Sequence, residues 1–259
     1  MTELSKTTWP EAGALLGPET VAILPVGSTE PHGPHLPLDT DVTIAQAQAR
    51  RAAERFKELG VQAVLLPPLA YGLTTYTAGF AGRVTIRPGT LWALLEDIVV
   101  ALEQQDVRQV VFANAHLEPE HVAVLRGVAA DHAERGPMRA QALFPDNTRR
   151  HWAGTLGDEF KSGDCHAGRY ESSLVLAASP GDVREDERAK LTPLAIDLIG
   201  KMKEGVKSFV EAGAEEAYCG DPASATAEEG HSLIERLADM TVESAREAWP
   251  DLFPERSEG

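Results

Sequence analysis

Side chains able to hold a cation crowd one short stretch of this chain. Gly27-Ser-Thr-Glu-Pro-His-Gly-Pro-His-Leu-Pro-Leu-Asp-Thr-Asp41 carries Glu30, His32, His35, Asp39 and Asp41 within twelve residues. Pro31, Pro34 and Pro37 stiffen the segment, while Gly27 and Gly33 let it turn. Glu30 and His32 are two apart, so in extended backbone they project to the same side. A second group, Asn114-Ala-His-Leu-Glu118, repeats that spacing with His116 and Glu118, and His121 follows on the next helix. A third, Gly163-Asp-Cys-His-Ala-Gly-Arg-Tyr-Glu-Ser-Ser173, offers His166 and, five residues later, Glu171. Glu171 reaches back toward the helix mouth if that helix begins late. Imidazoles and carboxylates without thiolates suit Zn, Mn, Fe, Co or Ni in a hydrolytic site and fit a structural zinc site of four cysteines poorly. Several carboxylates with few histidines also suit two ions, ~3.5–4 Å apart, that share a carboxylate and polarise a carbonyl. Each cluster alone has a plainer reading: a polar turn, a helix entry whose carboxylates suit the N-terminal dipole, or a loop followed by a solvated helical glutamate.

The elements around these clusters explain why they would meet. Val21–Val26 reads as a buried strand, Asp41–Leu59 as a helix with Asp41 as N-cap and Gly60 just past its end, and Val61–Leu66 as the next strand. Thr90–Gln105 is helical, with Leu91, Leu94, Leu95, Ile98, Val99 and Leu102 at three- and four-residue spacing. Gln109–Ala113 is a third strand, Glu120–Arg135 a helix ended by Gly136-Pro137, and Met138–Phe144 a fourth strand. Ala167–Ala178 reads as a helix, and two more are expected over 193–212 and 224–248. Strands alternating with helices imply parallel βαβ units, and the continuous apolar strands imply a sheet covered on both faces. The expected fold is therefore one α/β domain over 1–259, three layers (α/β/α) around a mostly parallel central sheet. In such sheets ligands bind beyond the carboxyl ends of the strands. The first two clusters sit at that address, after separate strands. The loop Tyr71–Arg83, rich in Gly, Thr and Tyr, is a candidate substrate wall or lid.

Composition narrows the partners. The 259 residues include 24 Lys and Arg against 40 Asp and Glu, a net charge of −16. Nucleic-acid binding needs clustered cations, and no basic run exceeds Arg50-Arg51 or Arg149-Arg150. An anionic membrane surface is disfavoured for the same reason, and no apolar stretch approaches the ~20 residues that span a bilayer. Met1-Thr-Glu-Leu-Ser-Lys6 has no apolar signal core, and the cysteines number two, Cys165 and Cys219, with no CxxC pair. A cytoplasmic location is expected.

The three clusters resemble the signature of the creatininase family, the creatinine amidohydrolases and their relatives. That signature runs roughly GSxEqHGpHLPxxTD, then NGHGGN or NGHxEN, then HAGxxETS. Here the matching segments are Gly27–Asp41, Asn114–Glu118 and His166–Ser173, the last reading HAGRYESS; Tyr218–Thr226 and the following Glu-Glu-Gly230 also fit. The resemblance implies Glu30, His32, Asp41 and His116 as metal ligands, with Asp41 the bridge, and Glu118 as the carboxylate that creatininase uses for its second ion. It implies Glu171 as a ligand or near-site carboxylate and His166 as the histidine that transfers protons. It further implies the three-layer fold, two divalent ions per chain (Zn, Mn or Fe) and a homo-oligomer, a hexamer. The sequence departs from creatininase proper in having Asn-Ala-His, Leu117 in place of an aromatic, Pro119, and no tryptophan in Lys161–Cys165. Leu117 and Trp152 are the candidate substrate contacts. A flat ring such as creatinine wants aromatic walls, so a different substrate is expected.

The activity this implies is metal-dependent hydrolysis of a C–N bond in a small amide or cyclic amide. An ionised water attacks the carbonyl and His166 protonates the leaving nitrogen. Within the family the same site also serves a peptidase acting on a redox-cofactor precursor peptide, a formamide-cleaving enzyme and sugar-ring hydrolases. Outside it, the rivals are a metal-binding protein without catalysis and a thiol hydrolase using Cys165.

Overall fold

The computed structural model describes residues 1–136 and 138–254. Its centre is a five-stranded sheet in the order β1 (Thr2–Glu3), β3 (Ala63–Leu65), β2 (Val21–Val26), β4 (Gln109–Asn114), β5 (Gln141–Leu143). Every pairing is parallel. The helices that join or cover the strands are α1 (Trp9–Leu15), α2 (Thr40–Glu58), α3 (Pro88–Glu103), α4 (Pro119–Ala133), α5 (Arg150–Ala153), α6 (Asp158–Ser162), α7 (Arg169–Ala178), α8 (Glu185–Arg188), α9 (Leu198–Lys203), α10 (Phe209–Ala212) and α11 (Ala227–Ala248).

Strand periodicity sorts the layers. Ala22, Leu24, Val26, Val110 and Phe112 pack with Leu91, Leu95 and Val99 of α3 and with Val122, Leu125 and Val128 of α4. The alternate residues, Val21, Ile23, Val111 and Ala113, face Ala49, Ala52 and Phe56 of α2 and Ala238, Val242 and Ala245 of α11. The result is the expected three-layer α/β/α arrangement. Strand β2 continues into β3 on one side, and the chain then crosses to β4 on the other. The order therefore reverses between β2 and β4, where a crevice opens at the carboxyl ends. The register pairs Val26 with Asn114, and Ala115 N–H donates to Val26 O at 3.1 Å. Two of the three ligand-bearing segments thus leave the sheet side by side.

The structure corrects several sequence expectations. Asp41 is not the N-cap of α2. The helix starts one residue earlier, at Thr40, and Asp41 stands in its first turn with its carboxylate turned to the site. Helix α7 begins at Arg169 rather than Ala167, because Ala167 is in the left-handed region at φ +49°. The expected helix over 193–212 is broken into α9 and α10. There the Asp164 carboxylate accepts the N–H groups of Ile196, Asp197 and Leu198 at 2.8, 3.0 and 2.8 Å, so these residues cannot extend a helix toward 193. Strands β3 and β5 are shorter than expected, and β1 and α1 lie outside the expected elements. Pro137 and 255–259 lie outside the described residues. Among the described residues no helix is long and apolar enough to cross a membrane.

Candidate metal centre

Gly27 follows β2 at a point where a Cβ would lie 2.6 Å from Val42 N, so only glycine lets the first turn of α2 approach the end of the strand. That approach brings Asp41 back over the sheet. Ser28 Oγ donates to Asp41 Oδ2 at 2.7 Å. Asp41 Oδ2 lies 3.0 Å from His116 Nδ1, and Asp41 Oδ1 lies 3.2 Å from His32 Nε2. One carboxylate therefore faces two imidazoles, one with each oxygen. Glu30 Oε1 is 3.0 Å from His116 Nδ1 and Glu171 Oε2 is 3.6 Å from His32 Nε2. The donor atoms form two clusters that share Asp41: Glu30–Asp41–His116 and His32–Asp41–Glu171; a third, Glu30–His32–His166, adjoins them.

The histidines are oriented from behind. His32 Nδ1 donates to the carbonyl of Glu30 at 3.0 Å, and His116 Nε2 donates to the carbonyl of Leu73. A carbonyl only accepts, so each ring carries its proton on the outer nitrogen and turns the other nitrogen inward. Metal-binding histidines are held in this way. Among the described residues the buried His32 Nε2, though 3.2 Å from Asp41 Oδ1, makes no hydrogen bond. Thr77 donates to Glu30 Oε2 at 3.1 Å. Asn114 Nδ2 donates to the carbonyl of His116 at 2.7 Å, and His121 Nε2 donates to Asn114 Oδ1 at 3.0 Å.

All five principal donors are buried, and their titration follows from mutual proximity. Burial pushes the His32 imidazole down, but Asp41, Glu171 and Glu30 together hold it up at about 10. His116 is likewise held well above its ordinary value, against burial, by Glu30 and Asp41. Asp41 stays well below the usual carboxylate range because the two imidazoles outweigh its burial. Glu171 rises to about 8, since burial outweighs the pull of His32. Three carboxylates that each seek positive charge, with imidazole nitrogens turned among them, are the chemistry of a cation site.

The other sequence candidates divide. His166 reaches the site: its ring centroid is 4.5 Å from that of His32, and the ring stacks on Phe209 at 4.2 Å and 17°. Its Nε2 donates to Pro31 O at 3.0 Å. Glu118 belongs to none of these donor clusters among the described residues. Its carboxylate instead accepts from the Thr75 hydroxyl and from Tyr76 N–H, the latter at 3.2 Å. Leu117 and Trp152 are half-buried against the apolar cluster of Leu36, Ala115, Phe160 and Tyr170. Cys165 is buried and its thiol is pushed well above its ordinary value, chiefly by burial and then by Glu171, which is the opposite of what a nucleophilic thiolate needs. The 71–83 loop is woven into the site: Leu73, Thr74 and Thr77 are buried, and Leu73, Thr75, Tyr76 and Thr77 all hold site residues. Sequence reasoning missed Ser28, Leu73, Thr77, Asn114 and His121 as orienting groups. Ser28 and Asn114 lie in the quoted motifs, Leu73 and Thr77 in the 71–83 loop, and His121 just after the second motif, so their segments were singled out but not their orienting roles.

The chain is similar along most of its length to known proteins. The family model described as "Creatininase: Creatinine amidohydrolase" matches residues 5–245. A Mycolicibacterium smegmatis protein named mycofactocin precursor peptide peptidase is 35% identical over 234 residues, covering 89% of this chain and 86% of that one. The creatinine amidohydrolase of Pseudomonas putida is 27% identical over 203 residues, covering 68% and 72%. The solved structure described as "Creatininase Mn" superposes with a TM-score of 0.71 at 22% identity, covering 96% of this chain and 99% of that one.

Proposed function

The chain belongs to the creatininase family, and from that premise we propose that it is a metal-dependent hydrolase of an amide C–N bond. The observation that carries this reading is the Asp41 carboxylate, one oxygen toward His116 and the other toward His32. Glu30, Asp41 and His116 would hold one divalent ion, and His32, Asp41 and Glu171 a second. Such ions polarise a carbonyl and ionise water near neutral pH. Burial, the larger cause, lowers His166 below its ordinary value, so it enters neutral. Its proton on Nε2 is committed to Pro31 O, so the other ring nitrogen accepts a proton from the attacking water and delivers it to the leaving nitrogen. Phe209 and His32 hold the ring plane while it does so.

The substrate we propose is a peptide amide rather than creatinine. Similarity to the Mycolicibacterium peptidase exceeds that to the Pseudomonas amidohydrolase in both identity and coverage, and Leu117 and the segment 161–165 lack the aromatics that would sandwich a flat ring. A homo-oligomer, a hexamer by family resemblance, is part of the same proposal, and light scattering on the purified protein measures it directly.

The test is elemental mass spectrometry on protein purified without tag or chelator, with His116→Ala as control. The expected result is about two divalent ions per chain, fewer in the variant, and hydrolysis of short peptides under the metal found. Absence of metal after incubation with Zn and Mn would overturn the mechanism. Full metal with no hydrolysis of peptides or small amides would move the protein to the non-catalytic class.

A further inference from the structure

The turn that presents His166 is unusual in its support. Ala167 adopts φ +49°, a conformation that residues with a Cβ avoid unless their surroundings impose it. Its N–H donates to Glu171 Oε2 at 2.6 Å, and the His166 carbonyl accepts Cys219 N–H at 2.8 Å. Helix α7 begins just beyond, and the N–H groups of its first turn have no partner inside the helix. Glu159, from α6, supplies one. Tyr170 N–H donates to Glu159 Oε1 at 2.8 Å, while Asp221 N–H donates to Oε2 at 2.7 Å. One carboxylate thus ties the mouth of α7 to the 219–221 segment. The two glycines flanking it record how close it sits. A Cβ at Gly168 would lie 2.6 Å from Oε1, and a Cβ at Gly220, where φ is +91°, would collide with Oε2. Glu159 itself belongs to no donor cluster among the described residues.

We infer that Glu159 is a positioning residue that latches the first turn of α7 to the 219–221 segment and so fixes Glu171, and the His166 turn that leads into α7, in the site. The inference rests on the metal-site reading above, because Glu171 counts there as a donor. It is asymmetric. Glu30, Asp41 and His116 hang from the carboxyl ends of β2 and β4 and from α2, none of which Glu159 touches through a hydrogen bond. The latch acts on Glu171 and His166, and through Glu171 on the His32–Asp41–Glu171 cluster, while the Glu30–Asp41–His116 cluster does not depend on it.

The experiment titrates Mn2+ by calorimetry into chelator-stripped, full-length wild type, Glu159→Ala and Glu159→Gln, with thermal unfolding of each stripped protein as the measure of general structural loss. Wild type is expected to bind two ions. Glu159→Ala is expected to keep one near wild-type affinity and to bind the other about 10- to 100-fold more weakly, the range seen when groups that orient ligands are removed. Glu159→Gln keeps the shape and one acceptor oxygen and should fall between. Two sites unchanged in Glu159→Ala, or both weakened equally, would overturn the latch. If Glu159→Ala does not fold, the same criterion is applied to Glu159→Gln, and wild-type affinity at both of its sites overturns the inference. A wild type that binds no Mn2+ or Zn2+ overturns the metal-site reading itself, an outcome visible before any variant is made.

Discussion

Ser28 shows how a residue without metal-binding character can govern the proposed metal site. Its hydroxyl donates to Asp41 Oδ2 at 2.7 Å and is fully buried, so it sets which way the shared carboxylate faces. Ser28→Ala is expected to fold normally and to weaken divalent-ion affinity by about 10- to 100-fold, as loss of a group orienting a ligand generally does; calorimetry reads the affinity and circular dichroism the fold. Cys165 is the opposite case, adjacent to His166 in sequence but inert. Cys165→Ala should retain hydrolysis, and iodoacetamide should leave the native enzyme active, since the buried thiol is held in its protonated form. The motif residues could be recognised as one-dimensional patterns because ligand chemistry restricts residue type. Thr77 and the Leu73 carbonyl could not, because any hydroxyl or any backbone serves once folding has placed it.

At the scale of elements, Asp164 and Phe112 show two kinds of support. Asp164 accepts three consecutive N–H groups of 196–198 and so anchors the segment that continues to Phe209, the ring stacked on His166. Asp164→Ala leaves those buried donors without partners. It is expected to lower stability by about 3 kcal/mol and to speed hydrogen exchange selectively over 196–209, while β2 and β4 stay protected. Phe112, wholly buried on β4 against α3 and α4, belongs to the core proper. Phe112→Ala should cost about 3–5 kcal/mol in urea unfolding, without the local signature of Asp164→Ala. The βαβ alternation was readable because apolar runs of strand length and helical spacing are local signals. The late start of the expected 193–212 helix, at Leu198, was not, since its cause is a carboxylate more than thirty residues upstream.

The molecule as a whole should lose stability with acid, partly through a group remote from the site. His132 of α4 is buried, with Nδ1 donating to Ala140 O at 3.2 Å. Burial, reinforced by Arg135, lowers it below its ordinary value of 6.5, although the Ala140 carbonyl opposes the shift. The unfolded chain therefore binds the proton first. The stabilisation is complete above 6.5 and is lost as pH falls below that value. His132→Gln is expected to flatten the decline in urea midpoint between about pH 7 and 5 relative to wild type; an unchanged slope would remove His132 from the account. At this scale the division between chain and fold is plain. The ligand types, their spacing, the parallel α/β class and the family were already present in the linear chain, because metal chemistry and strand or helix periodicity act over a few residues. The reversal of strand order between β2 and β4, the sharing of Asp41 between two imidazoles, the commitment of Glu118 to the 71–83 loop and the latch at Glu159 exist only in the folded chain. Each depends on how the layers close around the sheet, which no local pattern in the chain specifies.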